Sequence, residues 1–237
     1  MKLEPMNFLL SEITIFRTFK IRPLYFFSLL LLAALSSQLI NSANGKLQEL
    51  ITSREGITGE VWAYASLQIV LTFLSDAMLI LMAASTLFTV RTETSFWQQF
   101  NLFLIESLRS WGKILLGLLC FIIPGLVLFM RYLLVPFVVL FDPEYNQGKK
   151  DALAQSRHFY SMMTAGQWLL VISFKIVIPI VLALIFEQVS TFETNPSLFL
   201  VRQFLEVCCL LLLVWMMKNF IQAQVESESQ INLKVKI

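Results

Sequence analysis

The side chains best suited to chemistry in this sequence are five charged residues that fall inside long apolar stretches. They are Asp76, Arg131, Lys175, Arg202 and Glu206. An ionisable group at membrane depth costs about 2.5–3.5 kcal/mol or more on insertion scales, so it normally faces a partner or a wet cavity. The two acids and three bases therefore predict one of two arrangements. The first is a set of ion pairs that hold helices together, and the second is a polar cavity for an anionic lipid headgroup or small solute.

The spacing of these residues indicates how they could pair. Arg202 and Glu206 are four residues apart, so they share a helix face and can neutralise each other. Asp76 is then left for Arg131 or Lys175, and the remaining base can extend to the lipid headgroups. We predict that Asp76 is neutralised by one of these two bases from another helix and that the pair stabilises the fold.

Residues typical of enzyme active sites are few. His158 is the single histidine, and the sequence contains no Gly-rich phosphate loop, HExxH, GxSxG or paired-cysteine motif. Cys120, Cys208 and Cys209 lie in apolar stretches, where cysteine behaves as a small hydrophobic residue. We therefore expect a protein that is not an enzyme and that uses neither a cofactor nor a metal. His158, beside Arg157, is interpreted as a cytoplasmic side chain at the membrane interface.

The composition defines the environment of all these residues. The 237 residues are 57% hydrophobic and only 14% charged, whereas soluble domains are about 45–50% apolar and about 25% charged. The apolar residues form long unbroken runs, which predict an all-α polytopic transmembrane bundle. Lys and Arg number 18 against 16 Asp and Glu, and this near balance lacks the basic excess of a nucleic-acid-binding protein.

The apolar runs predict a single integral membrane domain over residues 1–217 and a loosely ordered polar cytoplasmic tail over 218–237. About six spans are expected, at 23–41, 61–90, 110–124, 126–141, 168–186 and 198–217. The first run follows three basic residues, as the apolar core of a signal peptide does. The segment before it is too long and too apolar for that, so we interpret the run as a retained first span.

Two amphipathic segments are predicted to lie flat on the membrane surface. They cover residues 91–110 and 150–163, and each has an apolar stripe at helical spacing. Trp97 and Phe100 in the first segment and Phe159 in the second are expected at the boundary of the acyl chains.

The topology depends on the stretch 112–141, which is interrupted by Pro124-Gly125 and carries Arg131 near its middle. Proline removes a hydrogen-bond donor and glycine readily adopts turn conformations, so the dipeptide predicts the turn of a short helical hairpin. Each arm of about 16 residues would be only about 24 Å long. The local pattern therefore leaves a single kinked span open as the alternative.

The distribution of Lys and Arg selects the hairpin, because positive residues gather in cytoplasmic segments. A single kinked span would leave 7 positive residues inside and 8 outside. The hairpin leaves 13 inside and 2 outside, with 3 in the membrane. We therefore predict six spans with both termini in the cytoplasm.

Several residues around the hairpin form a combination that resembles a known family. They are Pro124-Gly125, Arg131, Pro136, Asp142, Glu144, Ala152-Leu153 and Ser156. The pattern resembles bacterial inner-membrane proteins of the YciC type and the related membrane domain fused to some glycerophosphodiester phosphodiesterases, over about 50 residues. The resemblance implies a six-span bundle. It does not imply phosphodiesterase activity, because that chemistry belongs to a separate soluble barrel of the fused enzymes.

Two functional classes are consistent with the sequence. The first is a non-enzymatic scaffold or accessory protein in envelope maintenance, located in the bacterial inner membrane, with membrane lipids and other membrane proteins as its candidate partners. The second is a transporter or lipid-handling protein with a polar intramembrane cavity, supported by the buried charges. Transporters commonly contain paired broken helices, and this sequence has one broken segment, so the first class is favoured.

Overall fold

The computed structural model describes residues 23–52, 59–88, 96–187 and 196–235. These residues are helical almost throughout and include no strand, which confirms the all-α fold class. The segment before the first predicted span and most of the connection between the fifth and sixth predicted spans lie outside the described residues.

The helices follow one another with short connections. They are α1 (Pro23–Thr52), α2 (Gly59–Leu87), α3 (Phe96–Cys120), α4 (Ile122–Tyr132), α5 (Val135–Phe141), α6 (Pro143–Asn146), α7 (Ala152–Met162), α8 (Ala165–Ile172), a π-helical turn (Ser173–Val177), α9 (Ile178–Glu187) and α10 (Pro196–Val235).

Five helical segments of the described chain are long and apolar enough to cross a membrane. They are Pro23–Thr52, Gly59–Leu87, Ile122–Phe141, Ala165–Phe186 and Pro196–Ser227. By length and composition these segments are those of an integral membrane protein.

Some predicted boundaries are wrong. Helix α3 runs without a break from Phe96 to Cys120, so the described part of the predicted interfacial helix 91–110 and most of the predicted span 110–124 share one 25-residue helix. Three charged residues in its middle, Glu106, Arg109 and Lys113, make α3 less apolar than the five segments above. The tail predicted to be loosely ordered after residue 217 is instead the continuation of α10.

The chain divides into two compact units. The first comprises residues 1–90 and 181–212 and contains α1, α2, α9 from residue 181 onward and the first part of α10. Helices α1 and α2 pack against each other, and most of the buried residues of the pair are small: Ala33, Ser36, Ala43, Ala77, Ala83, Ala84 and Ser85. Small side chains allow membrane helices to approach closely.

The second unit comprises residues 91–180 and 213–237 and contains α3 to α8, the π-helical turn and the end of α10. Helix α5 packs against α3 and α7. The fully buried aromatic residues of this unit are Phe103, Phe137 and Phe159, and the ring of Phe159 meets that of Phe220 edge-on at 6.3 Å. This core organises the polar residues considered next.

Helices α3 and α4 form a hairpin, but Pro124-Gly125 is not its turn. The helix breaks at Phe121, whose backbone is extended (φ −165°, ψ 151°). Pro124 lies in the first turn of α4, where the missing N–H has no intrahelical partner to lose. Gly125 is buried within α4 against α3, and a Cβ atom on it would lie 2.8 Å from the Cα atom of Leu118. The glycine therefore serves close packing of the two arms.

Candidate functional site

The predicted intramembrane charges do not all meet in the described chain. The local pair is present: the Nε atom of Arg202 lies 2.8 Å from Oε1 of Glu206. Asp76 is exposed on α2, and the described residues provide it with no ion-pair partner. It belongs to the first unit, whereas Arg131 and Lys175 belong to the second. The pairing of Asp76 with either base therefore stays a prediction.

Lys175 lies in the π-helical turn and is half-buried. Pro179, four residues later, lacks the N–H that would donate to the carbonyl of Lys175 in a regular α-helix. A missing donor of this kind is a recognised cause of local widening or kinking in a helix. The π-helical turn that contains Lys175 is therefore explained by the missing N–H of Pro179.

Arg131 lies in the last turn of α4, at the base of the hairpin. Helix α4 ends at Tyr132, because Pro136 cannot donate to the Tyr132 carbonyl and the regular helix resumes only at residue 135. The carbonyl of Arg131 instead accepts a hydrogen bond of 2.6 Å from Oγ of Ser156, which is fully buried on α7. This bond satisfies a terminal carbonyl of α4 and fastens α7 to the end of the hairpin.

Asp142 and Glu144 shape the chain between α5 and α7. Asp142 is completely buried, and its Oδ1 accepts a hydrogen bond of 2.8 Å from the backbone N–H of Glu144, which caps α6. The Glu144 carboxylate accepts a hydrogen bond from Gln155 and pairs with Lys150. Asp142 and Glu144 therefore stabilise the segment of chain between α5 and α7.

A salt bridge joins α3 to the beginning of α7. Arg109 pairs with Asp151 and also lies 3.4 Å from Glu106. Burial alone would raise the pKa of Asp151, but hydrogen bonds from Arg109 and from the backbone of Ala154 hold this pKa below its ordinary value. The same bond to Asp151 raises the pKa of Arg109. The contact fixes residues 109 and 151 at the same end of the hairpin.

An open cleft of about 470 Å³ lies between the end of α4 and one face of α7. It is lined by Arg131, Ala154, Arg157, His158, Tyr160 and Ser161. Arg157 and Ser161 are exposed, whereas Arg131 and His158 are half-buried. The cleft therefore combines two guanidinium groups, an imidazole, a phenol and a hydroxyl group.

The sequence pattern did not reveal this cleft. Arg131 is predicted to be an intramembrane charge, and His158 beside Arg157 to be an interfacial side chain, but the 25 residues between the two arginines conceal their proximity. A partial signal exists in α7 itself. Residues 154, 157, 158 and 161 follow the i, i+3, i+4, i+7 spacing of a single helix face.

The described residues contain no group of three or more His, Cys, Asp or Glu side chains able to hold a metal ion. Comparison of the chain with family models, curated proteins and solved structures finds no match. The resemblance to YciC-type proteins therefore stays a prediction.

Proposed function

We propose that this protein is a non-enzymatic integral protein of the bacterial inner membrane, acting as a scaffold or accessory factor in envelope maintenance. In this proposal both termini are cytoplasmic, and the α3–α4 hairpin enters the cytoplasmic leaflet and returns to the same side.

The observation that carries the proposal is the exposed apolar tip of the hairpin. Leu119, Phe121, Ile122 and Ile123 are each 72–83% exposed in the isolated chain. A contiguous apolar surface of this kind is typical of membrane contact. Helix α4 has 11 residues and is therefore about 16 Å long, roughly half the thickness of the hydrocarbon core. A hairpin of this depth reaches the middle of the bilayer.

The base of the hairpin has the opposite character. The ammonium group of Lys113 on α3 lies 5.7 Å from the centre of the Tyr132 ring at the end of α4. Arg131 and the Arg109–Asp151 pair lie in the same region of the two arms. Charged groups and tyrosine are favoured at the membrane surface, which supports an entry point at this level.

The second half of the apolar segment 122–141 is accounted for by protein packing. Val135, Phe137 and Val138 of α5 are completely buried, and α5 packs against α3 and α7. The apolar character of α5 is therefore that of a protein core, and α4 alone is available for lipid. This division supports a hairpin over a single kinked span.

The positive residues near the base of the hairpin support its location on the cytoplasmic side of the membrane. Lys149 and Lys150 precede α7 and Arg157 lies on it, in the part of the second unit that also holds Arg109. Positive residues concentrate in cytoplasmic segments. The contact of Phe159 with Phe220 brings the end of α10 close to α7, which supports a cytoplasmic C-terminus.

Labelling of single cysteines tests this topology in a cysteine-free background. We expect a membrane-impermeant maleimide to reach residues 101, 149 and 222 from the cytoplasmic face and residue 45 from the opposite face. A cysteine in place of Leu119 should not react with the maleimide from either face, because it lies among acyl chains. Labelling of residues 101 and 149 from opposite faces would restore the single kinked span.

Complementation tests the scaffold role. We expect cells that lack this protein to become more sensitive to detergent and osmotic stress. A scaffold acts through its fold, so Gly112→Ala, which adds a methyl group with no atom within 4 Å of it, should restore resistance fully, whereas Gly125→Leu, which forces the hairpin arms apart, should not. Immunoblots would verify equal membrane levels of the two variants. Complementation by Gly125→Leu as complete as that by Gly112→Ala would contradict a role that depends on the fold of the hairpin.

A second candidate, a lipid-handling protein, is favoured by one observation. The cleft beside α4 and α7 gathers basic and hydroxyl side chains at the base of the hairpin, which in this proposal lies at the membrane surface.

A further inference from the structure

We propose that the cleft between α4 and α7 binds a phosphate group, and that its source is the headgroup of a membrane phospholipid. The inference rests on the proposed position of the hairpin base at the membrane surface. It does not depend on the scaffold role.

Two helices present the basic groups to a common space. Arg157, His158 and Ser161 lie on one face of α7, and Arg131 comes from the last turn of α4. The buried hydrogen bond from Ser156 to the Arg131 carbonyl ties the two backbones together at this point. Arginine offers a planar fork of donors that matches the oxygens of phosphate, so two arginines on tied backbones form a suitable anion site.

The charge of the two arginines is not neutralised within the described chain. Arg131 and Arg157 have no carboxylate oxygen within 4.0 Å among the residues that the structure describes. In contrast, Arg109 pairs with Asp151, and Lys150 pairs with Glu144. The positive charge of the cleft is therefore available to an anion.

The size and level of the cleft fit a lipid headgroup. A volume of about 470 Å³ lies within the range of about 300–1,000 Å³ that small-molecule sites occupy. The ring of Tyr160 lies 4.8 Å from that of Trp168, and both residue types are enriched at the membrane–water interface. Leu169, next to Trp168, is exposed, so the acyl chains of a bound lipid would find an apolar surface nearby.

Binding to the purified full chain in a neutral detergent tests the proposal. The probes are phosphatidylglycerol, which carries a phosphodiester, a neutral diacylglycerol with the same acyl chains, and inorganic phosphate. Native mass spectrometry counts bound lipid, and the shift of the unfolding temperature reports binding of each probe. The variants are Arg131→Gln and Arg157→Gln, with Arg109→Gln as the matched control, because Arg109 belongs to the same unit but pairs with Asp151 outside the cleft.

We expect phosphatidylglycerol to bind and diacylglycerol not to bind. Arg131→Gln and Arg157→Gln should each weaken phosphatidylglycerol binding about tenfold or more, because each removes charge-assisted hydrogen bonds to phosphate. Arg109→Gln should bind as the wild type does. Ser161→Glu keeps both arginines but adds a carboxylate to the cleft wall. This variant should abolish phosphatidylglycerol binding.

The remaining outcomes distinguish a lipid from free phosphate as the ligand. They also distinguish failure of the cleft proposal from failure of the proposed membrane position of the hairpin. Binding of phosphatidylglycerol alone assigns the site to lipid, whereas cleft-dependent binding of inorganic phosphate alone overturns the lipid assignment. Equal binding by wild type, Arg131→Gln and Arg157→Gln overturns the site itself. Because binding is measured in detergent, it reports on the cleft independently of hairpin depth, which the cysteine labelling addresses.

Discussion

Replacement of Gly125 by alanine should destabilise the protein by about 3 kcal/mol, although only one methyl group is added. The new Cβ atom would lie 2.8 Å from the Cα atom of Leu118 and would also collide with the Leu118 side chain. Backbone atoms cannot move aside as a flexible side chain does, so the arms of the hairpin must separate. Overpacking of this kind typically costs about 1–3 kcal/mol and sometimes more.

Two other glycines of the hairpin provide graded controls. Gly112 lies in α3, the other arm of the hairpin, with no atom within 4 Å of an added methyl group, so Gly112→Ala should stabilise the helix by about 0.5–1 kcal/mol. Gly117→Ala should be intermediate, since its nearest contact is the end of the Leu128 side chain, although the Cα atom of Gly125 lies at 3.1 Å. Unfolding temperatures in detergent would establish the order. Equal values for Gly112→Ala and Gly125→Ala would show that the arms are not in close contact.

The sequence predicts the hairpin but not the position of its turn. Proline and glycine indicate an interruption, yet both residues occupy ordinary helical positions in α4. Proline is tolerated in a first helical turn, and glycine also permits two helices to approach closely. The two uses of glycine have the same local sequence signal. The close contact of Gly125 with Leu118 in the structure shows that this glycine serves helix packing and not a turn.

The amphipathic stripes were recognised correctly, but their environment was not. Phe100 and Phe159, expected at the acyl chains, are buried in the protein at 8% and 1% exposure. A helix that lies on a membrane and a helix that covers a protein core have the same periodicity, since both hide one apolar face. Sequence spacing therefore identified the apolar face and could not identify what covers it.

Local pairs of charges are also easier to predict than distant ones. Arg202 and Glu206 meet because four residues of helix separate them. The proximity of Arg131 and Arg157 depends on the end of α4 at Tyr132 and on the hydrogen bond from Ser156. Neither feature has a periodic signature, so the cleft became visible only in three dimensions.

The two halves of the apolar segment 122–141 should respond in opposite ways to truncation. Phe137→Ala should cost about 3–5 kcal/mol, because this ring is completely buried between α5 and its neighbours and its loss leaves a cavity. Ile123→Ala removes a side chain that is 75% exposed at the hairpin tip. In detergent it should change stability by less than about 0.5 kcal/mol, since such exposed positions have few protein contacts to lose.

Thermal unfolding of both variants in the same detergent would measure the contrast, with the α-helical content compared beforehand to verify folding. A segment that crossed the bilayer as one span would present α5 as well as α4 to lipid, and Phe137→Ala would then be as mild as Ile123→Ala. A large effect at residue 137 together with a small one at residue 123 requires a protein core around α5. In that case only about 16 Å of α4 is left for the membrane, which is too short to cross it and long enough to anchor the hairpin in one leaflet.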